Sequence, residues 1–305
     1  MGKSTFIHAL VGLDQSEASD LIVKTLPEFK RLGTKKVTLV TVISVPFTGS
    51  RTEFNTEKQA KKLEHYKSVL EKEGLMVDTE LRSGTYFYPP AEILTSAKEK
   101  DADFVIVGTR GQSKVQEMLL GSTASEILQR SRLPVFLLNI DMKWDKEDAE
   151  KRHLVLTQSV DTALNHVLHA TDFSETADKA FDVVRELDEE GKIDKISFVH
   201  VQGHHAIALK DPVSRDELTE SSQKRLEEMR NSLSDKTRNN SEIVITFGTP
   251  GKEIINVIEQ NGVTLAVMGS QGKGFVREFF LGGVSTQVTR FSKIPILLVP
   301  ADRDS

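Results

Sequence analysis

Glycine recurs in this 305-residue chain at a spacing that could hold an anion: Gly108-x2-Gly111-x9-Gly121-Ser122, and again Gly269-x2-Gly272-x9-Gly282-Gly283, 161 positions later. Lacking Cβ atoms, the paired glycines let backbone N–H groups come close to a ligand. Gly121-Ser122 then opens a helix whose first amides point outward and carry the positive end of its dipole. A phosphate chain fits that arrangement. An aspartate closing an early apolar run, Asp14, recurs as Asp172 after 158 positions. Its carboxylate would sit at the opposite edge of the crevice, where an acceptor can bind a ribose hydroxyl or an adenine amine. Taken singly, each glycine reads as a tight turn and each aspartate as a helix cap. Recurrence of the whole set in both halves favours a site, and together the residues suit a nucleotide.

The elements that must position these residues alternate along the chain. Phe6 to Leu13 reads as a strand, Ser16 to Leu32 as a helix, Val37 to Val45 as a buried strand and Thr56 to Gly74 as a second helix. Val77 to Leu81, Ala91 to Lys100, Phe104 to Val107, Ser122 to Ser131 and Val135 to Asn139 continue as strand, helix, strand, helix, strand. The second half repeats the order through Val167–Thr171, Glu175–Glu189, Lys195–Val201, Asp216–Ser232, Glu242–Phe247, Lys252–Gln260, Leu265–Met268, Ser285–Phe291 and Ile296–Val299. Strands alternating with helices predict an α/β fold: two tandem doubly wound domains, each a five-stranded parallel sheet of order 3-2-1-4-5 with helices on both faces. Asp14 and Gly108 follow strands one and four, which flank the point where strand order reverses. A period this long means two copies of a domain and not a solenoid. The predicted division is residues 1–142 and 164–305, joined by a charged linker at 143–163 that holds the only tryptophan, Trp144. The apolar run His153 to Thr157 within it predicts an ordered connector with an added edge strand.

Composition narrows the partners. A formal charge of −5 leaves no basic footprint, so nucleic acid is not an expected partner. No run of about 18 apolar residues and no basic-then-apolar leader is found, so no membrane partner is expected and a cytoplasmic location is. The absence of cysteine excludes disulfides and thiolate chemistry.

On these motifs the chain resembles the universal stress protein family, whose signature is G-x2-G-x9-G-(S/T), over roughly residues 4–140 and 164–301. Val11-Gly12-Leu13-Asp14-Gln15-Ser16-Glu17-Ala18-Ser19, Thr171-Asp172-Phe173-Ser174-Glu175-Thr176-Ala177 and Phe198-Val199-His200-Val201 carry the likeness further. The resemblance implies binding of ATP, ADP or AMP, with or without Mg2+, by a cytoplasmic stress-response regulator or sensor. The residues it implies are Asp14, Val42, Gly108, Gly111, Gly121, Ser122 and Thr123 in the first half. In the second half they are Asp172, Val201, Gly269, Gly272, Gly282, Gly283, Val284 and Ser285. Aspartate and valine would hold the adenosine, glycines and hydroxyls the phosphates. Gly283 departs from the pattern where serine or threonine should stand. One lost neutral hydrogen bond is worth about 0.5–1.5 kcal/mol, roughly a factor of 2 to 13, so the second site should be weakened. Further implied partners are a second copy of the tandem chain and a regulatory protein. Family members that pair through their fifth strands imply that Val135–Leu138 and Ile296–Val299 meet as an intramolecular pseudo-dimer.

Two other functions remain open: a nucleotide-independent dimerisation or interaction scaffold, and a slow ATPase. Lys114, Lys273 and Arg277 lie within the x9 segments and could neutralise phosphate charge, but no general base accompanies them, so the chain is expected not to be an enzyme beyond slow hydrolysis. The stretch Gly84-Thr85-Tyr86-Phe87-Tyr88-Pro89-Pro90 is three residues longer than its counterpart at Gly248-Thr249-Pro250-Gly251. It could cover the nucleotide or pack on its own domain. Met1-Gly2-Lys3-Ser4-Thr5 lacks the first glycine of a P-loop and precedes the first strand. His200, His204 and His205 have no completing ligands, so no metal site is expected.

Overall fold

The computed structural model describes residues 6–45, 55–111, 120–144, 152–203, 212–272 and 281–302, with side chains except at 212–215. Two compact units emerge, Met1–Ser159 and Val160–Ser305.

In the first unit five parallel strands run β1 (His8–Gly12), β2 (Lys36–Val45), β3 (Met76–Thr85), β4 (Phe104–Gly108) and β5 (Val135–Leu138). Their order is β3-β2-β1-β4-β5, as the alternation predicted. Register is fixed by pairs such as Ala9 with Val37 on one side and Ala9 with Phe104 on the other. The central strands are buried on both faces, which is why they read as unbroken apolar runs. β3 reaches four residues beyond the expected Leu81, because it pairs with β2 through Val45–Thr85 while its outer position tolerates Asp78, Glu80 and Arg82. Helices α1 (Glu17–Thr25), α2 (Glu57–Lys72), α3 (Pro89–Glu99) and α4 (Ser122–Arg130) connect the strands. The single helix expected to Leu32 ends at Thr25 and continues as a 3-10 helix, Leu26–Leu32. Pro27 lacks the N–H an α-helix needs there, and Gly33 closes the turn at φ 103°. Phe29 of that turn packs edge-to-face on Phe136 at 4.8 Å, and Phe6 on Phe104 at 5.2 Å, filling the core beneath the sheet.

The connector folds as a hairpin and not as an edge of the main sheet. β6 (Ile140–Trp144) pairs antiparallel with β7 (Arg152–Leu156), and the Leu154 amide donates to Glu17 at the start of α1 at 3.0 Å. The rest of the charged stretch, residues 145–151, lies outside the described residues.

The second unit repeats the plan with β8 (Val167–Ala170), β9 (Ile196–Gln202), β10 (Ser241–Phe247), β11 (Leu265–Gly269) and β12 (Ile296–Val299), in the order β10-β9-β8-β11-β12. Its helices are α5 (Glu175–Glu189), α6 (Pro212–Asn231), α7 (Asp235–Asn239), α8 (Pro250–Asn261) and α9 (Gly283–Phe291). The short α7 was not expected from the sequence. Its start is fixed by Ser234, whose hydroxyl accepts from the Thr237 amide and donates to buried Asp188.

Candidate functional site

In each unit the carboxyl ends of the first and fourth strands open onto a cavity. The first strand delivers an aspartate through a turn that leaves the following residue left-handed: Gln15 at φ 61° after Asp14, Phe173 at φ 59° after Asp172. A non-glycine residue in that region costs on the order of 1 kcal/mol, and such strain collects at functional sites. In the first unit the turn is held by the carboxylate itself. Asp14 Oδ1 accepts from the Ser16 amide at 3.0 Å, the Ser16 hydroxyl at 2.6 Å and the Ser19 hydroxyl at 2.8 Å. In the second unit Asp172 Oδ1 accepts from the Ser174 amide at 3.0 Å, while the Ser174 hydroxyl caps α5 through the Ala177 amide.

The fourth strand delivers the glycines. A Cβ on Gly272 would lie 2.5 Å from Asp172 Oδ2, and one on Gly111 would lie closer still to Asp14 Oδ2. A side chain at either position would displace the carboxylate, so the second glycine of each motif permits this close approach. A Cβ on Gly269 would meet the Thr176 carbonyl oxygen at 3.1 Å, so the first glycine there lets α5 pack against the strand end. The Gly121 amide donates to the Thr109 carbonyl and the Gly282 amide to the Ser270 carbonyl, both at 2.9 Å, closing the two ends of each x9 segment. Those segments themselves, with Lys114, Lys273 and Arg277, lie outside the described residues, as do His204, His205 and Met1 to Thr5.

Gly121 and Gly282 then serve as N-caps of α4 and α9, and neither helix has a side-chain cap. Each helix therefore presents first-turn N–H groups and the positive end of its dipole toward the cavity, an arrangement suited to an anion. The cavity of the first unit, about 400 Å³, is lined by Asp14, Val42, Gly108, Gly111, Gly121, Ser122 and Thr123 together. That of the second, about 270 Å³, is lined by Asp172, Val201, Gly269, Gly272 and Gly282, and equally by Gly283, Val284 and Ser285. Every site residue expected from the sequence thus lies on the wall of one of these cavities. Ser285 carries a qualification: it is buried, and its hydroxyl donates to the Gly269 carbonyl at 2.9 Å.

Several wall residues escaped the sequence reading. Ser19 and Arg110 line the first cavity, Ala177, Gln271 and Met268 the second. Arg110 occupies the x2 gap between glycines, where spacing carries no information about the intervening residue type. Its side chain is 6% exposed, donates Nε to the Ile140 carbonyl at 3.0 Å, and lies 3.6 Å from Asp141 of the hairpin. The aromatic stretch packs on its own unit: the Phe87 ring occupies the space a Cβ on Gly84 would need, the Tyr88 hydroxyl donates to Glu126, and Tyr86 is 81% exposed. Only Pro89 of that stretch lines the cavity. His200 stands on β9 with Nδ1 2.9 Å from the Thr171 carbonyl and its ring tilted against Phe173 at 4.5 Å. Among the described residues no group of three or more His, Cys, Asp or Glu is placed to hold a metal ion. No helix among them is long and apolar enough to cross a membrane.

The model of the Universal stress protein family matches residues 5–139 and again 164–300. The chain belongs to the universal stress protein family. A universal stress protein of Methanocaldococcus jannaschii is 29% identical over 152 residues, which is 44% of this chain and 93% of that protein. Universal stress protein YxiE of Bacillus subtilis is 30% identical over 148 residues, 44% of this chain and 98% of its own. A relative from Mycolicibacterium smegmatis is 28% identical over 188 residues, covering 57% of this chain and 61% of that one. Among solved structures, a universal stress protein from Archaeoglobus fulgidus matches with a TM-score of 0.66 and 24% identity, covering 98% of this chain and 97% of the other. That likeness extends the shared fold to both units of this universal stress protein.

Proposed function

We propose that this universal stress protein binds an adenine nucleotide, ATP, ADP or AMP, and that occupancy sets its state as a cytoplasmic stress-response regulator acting on a protein partner or a second copy of itself. The observation that carries this reading is the meeting of Asp14 with Gly111, and of Asp172 with Gly272, at the mouth of an uncapped helix in both units. A carboxylate set against a backbone cradle supplies an acceptor for ribose hydroxyls on one side and N–H donors for phosphate on the other. Val42 and Val201 give the adenine an apolar wall. A cavity of about 400 Å³ falls within the size range of small-molecule sites. Mg2+ would arrive on the phosphates, as it does where a protein offers few carboxylates of its own.

The wall offers little for hydrolysis. Asp14, the carboxylate at the first cavity, already accepts from Ser16 and Ser19 through Oδ1, and it belongs to the end assigned to ribose. Binding without efficient turnover is the reading this supports, with slow hydrolysis at most.

The test is mass spectrometry of small molecules released from the purified full chain, followed by calorimetric titration with ATP and AMP of the wild type and of Gly111→Val. Adenine nucleotide that co-purifies, with heat that falls in the variant, supports the reading. A folded protein that releases no nucleotide and gives no heat with either ligand sinks it and leaves a nucleotide-independent scaffold.

A further inference from the structure

The two cavities share their aspartate, valine and isoleucine positions and differ most at the mouths of α4 and α9. At the end assigned to adenosine, Asp14 and Asp172, Val42 and Val201, and Ile93 and Ile254 occupy matching places on the walls. At the end facing α4 and α9, each polar group of the first cavity is replaced by something smaller, neutral or apolar in the second. Ser122 becomes Gly283 and Thr123 becomes Val284, so two hydroxyls at the helix mouth are gone. Arg110, held on the first wall by the Ile140 carbonyl and Asp141, becomes neutral Gln271. Beside the aspartate, Ser19, whose hydroxyl orients Asp14, becomes Ala177, and on the fourth strand Val107 becomes the bulkier Met268. The second cavity gains two hydroxyls, and both are engaged: Ser285 in place of Ala124 donates to the Gly269 carbonyl, and Thr171 in place of Leu13 accepts from the Phe173 amide. The volume falls from about 400 to about 270 Å³.

Hydroxyl hydrogen bonds at a helix mouth reward additional phosphates, and the Ser122 and Thr123 hydroxyls are the ones removed. Resting on the nucleotide reading above, we infer that the two sites take different ligand classes. The first holds an adenine nucleoside polyphosphate, and the second holds an adenine nucleoside carrying at most one phosphate. One chain would then bind two members of the adenylate series at once.

The experiment uses the full chain in two forms, Gly272→Val to leave the first site and Gly111→Val to leave the second, each titrated calorimetrically with adenosine, AMP and ATP. Thermal melts check the fold. Should either valine variant melt early, Asp172→Asn or Asp14→Asn silences the same site through its carboxylate. The first site should prefer ATP to adenosine by about tenfold or more, and the second should bind adenosine, AMP and ATP within about threefold of one another. Grafting Ala177→Ser, Gln271→Arg, Gly283→Ser and Val284→Thr into the Gly111→Val chain should restore an ATP preference of about tenfold. A Cβ at Gly283 meets no atom within 4 Å, so that hydroxyl enters open space. A second site that prefers ATP as strongly as the first overturns the inference while leaving nucleotide binding intact, and would assign the phosphates to Lys273 and Arg277. A second site that binds none of the three overturns it as well. Absence of binding at both sites instead removes the nucleotide reading on which it rests.

Discussion

Replacing His169 by valine should remove an acid sensitivity built into the second unit. His169 lies in the middle of β8, fully buried, with its ring 5.5 Å from Phe181 and 6.3 Å from Phe198. Neither ring nitrogen has a hydrogen-bond partner. Burial among apolar groups disfavours the imidazolium and pushes the pKa from its ordinary 6.5 down to about 4, against an opposing pull from the Val267 backbone. The unfolded chain takes up this proton near pH 6.5 and the folded chain not until about pH 4. Between those values the unfolded state binds more protons, so stability falls as pH falls through that window and is unaffected above it. A difference of about 2.5 pK units at 1.36 kcal/mol each is about 3 kcal/mol, with roughly half lost by about pH 5.2. Against a typical domain stability of about 5–15 kcal/mol that is a large share.

The first unit already shows what belongs there. Val11 holds the matching place, paired with Leu39 and Ile106 as His169 is with Phe198 and Val267. Urea unfolding of the full chain, followed by far-ultraviolet circular dichroism from pH 7.5 to 4, should show the wild type losing about 3 kcal/mol more than His169→Val over that range. The comparison between the two proteins isolates this residue from His8 and His166, whose pKa values burial also lowers. Parallel pH curves for the two proteins, or an imidazole that titrates near 6.5 by NMR, would refute the reasoning.

Three further outcomes follow from the same geometry. Gly111→Val places a Cβ against the Asp14 carboxylate and should weaken nucleotide binding at the first site by at least about tenfold in calorimetry, with the melting temperature showing whether the fold persists. Ser19→Ala removes one of the hydroxyls that orient Asp14 and should cost about 0.5–1.5 kcal/mol of binding at that site, read as a twofold to thirteenfold rise in Kd, with the second site unchanged. Asp101 follows α3 in the left-handed region at φ 51°, where the second unit uses Gly262 at φ 63°. Asp101→Gly should therefore raise the unfolding free energy by up to about 1 kcal/mol, and a lowered denaturation midpoint would contradict it.

Much of the fold was legible because parallel strands covered on both faces must be apolar along their length, and β4, β5, β11 and β12 are. The glycine spacing was legible for a related reason: it states a demand of the backbone, that no side chain stand between strand four and the aspartate. What escaped notice depended on where the chain brings side chains from elsewhere. Charge in the stretch beyond Lys143 concealed that Ile140–Trp144 and Arg152–Leu156 pair as a hairpin. Pro27 was the available signal for the break after Thr25. Arg110 gave none, since its position on the wall depends on the Ile140 carbonyl of that unexpected hairpin. The left-handed turns at Gln15 and Phe173 also had no signal, because neither residue type favours that conformation.

Comparing the two units separates what the cradle requires from what its ligand requires. Positions where backbone geometry is the function are the same in both: Gly108 and Gly269, Gly111 and Gly272, Gly121 and Gly282, and the left-handed residue after each aspartate. On the cavity walls Asp14 and Asp172 match, as do Val42 and Val201, while Ser122 stands against Gly283, Thr123 against Val284 and Arg110 against Gln271. The same carboxylate on the same cradle, beside side chains that differ at the mouths of α4 and α9, is the pattern expected of two sites with different ligands, as inferred above.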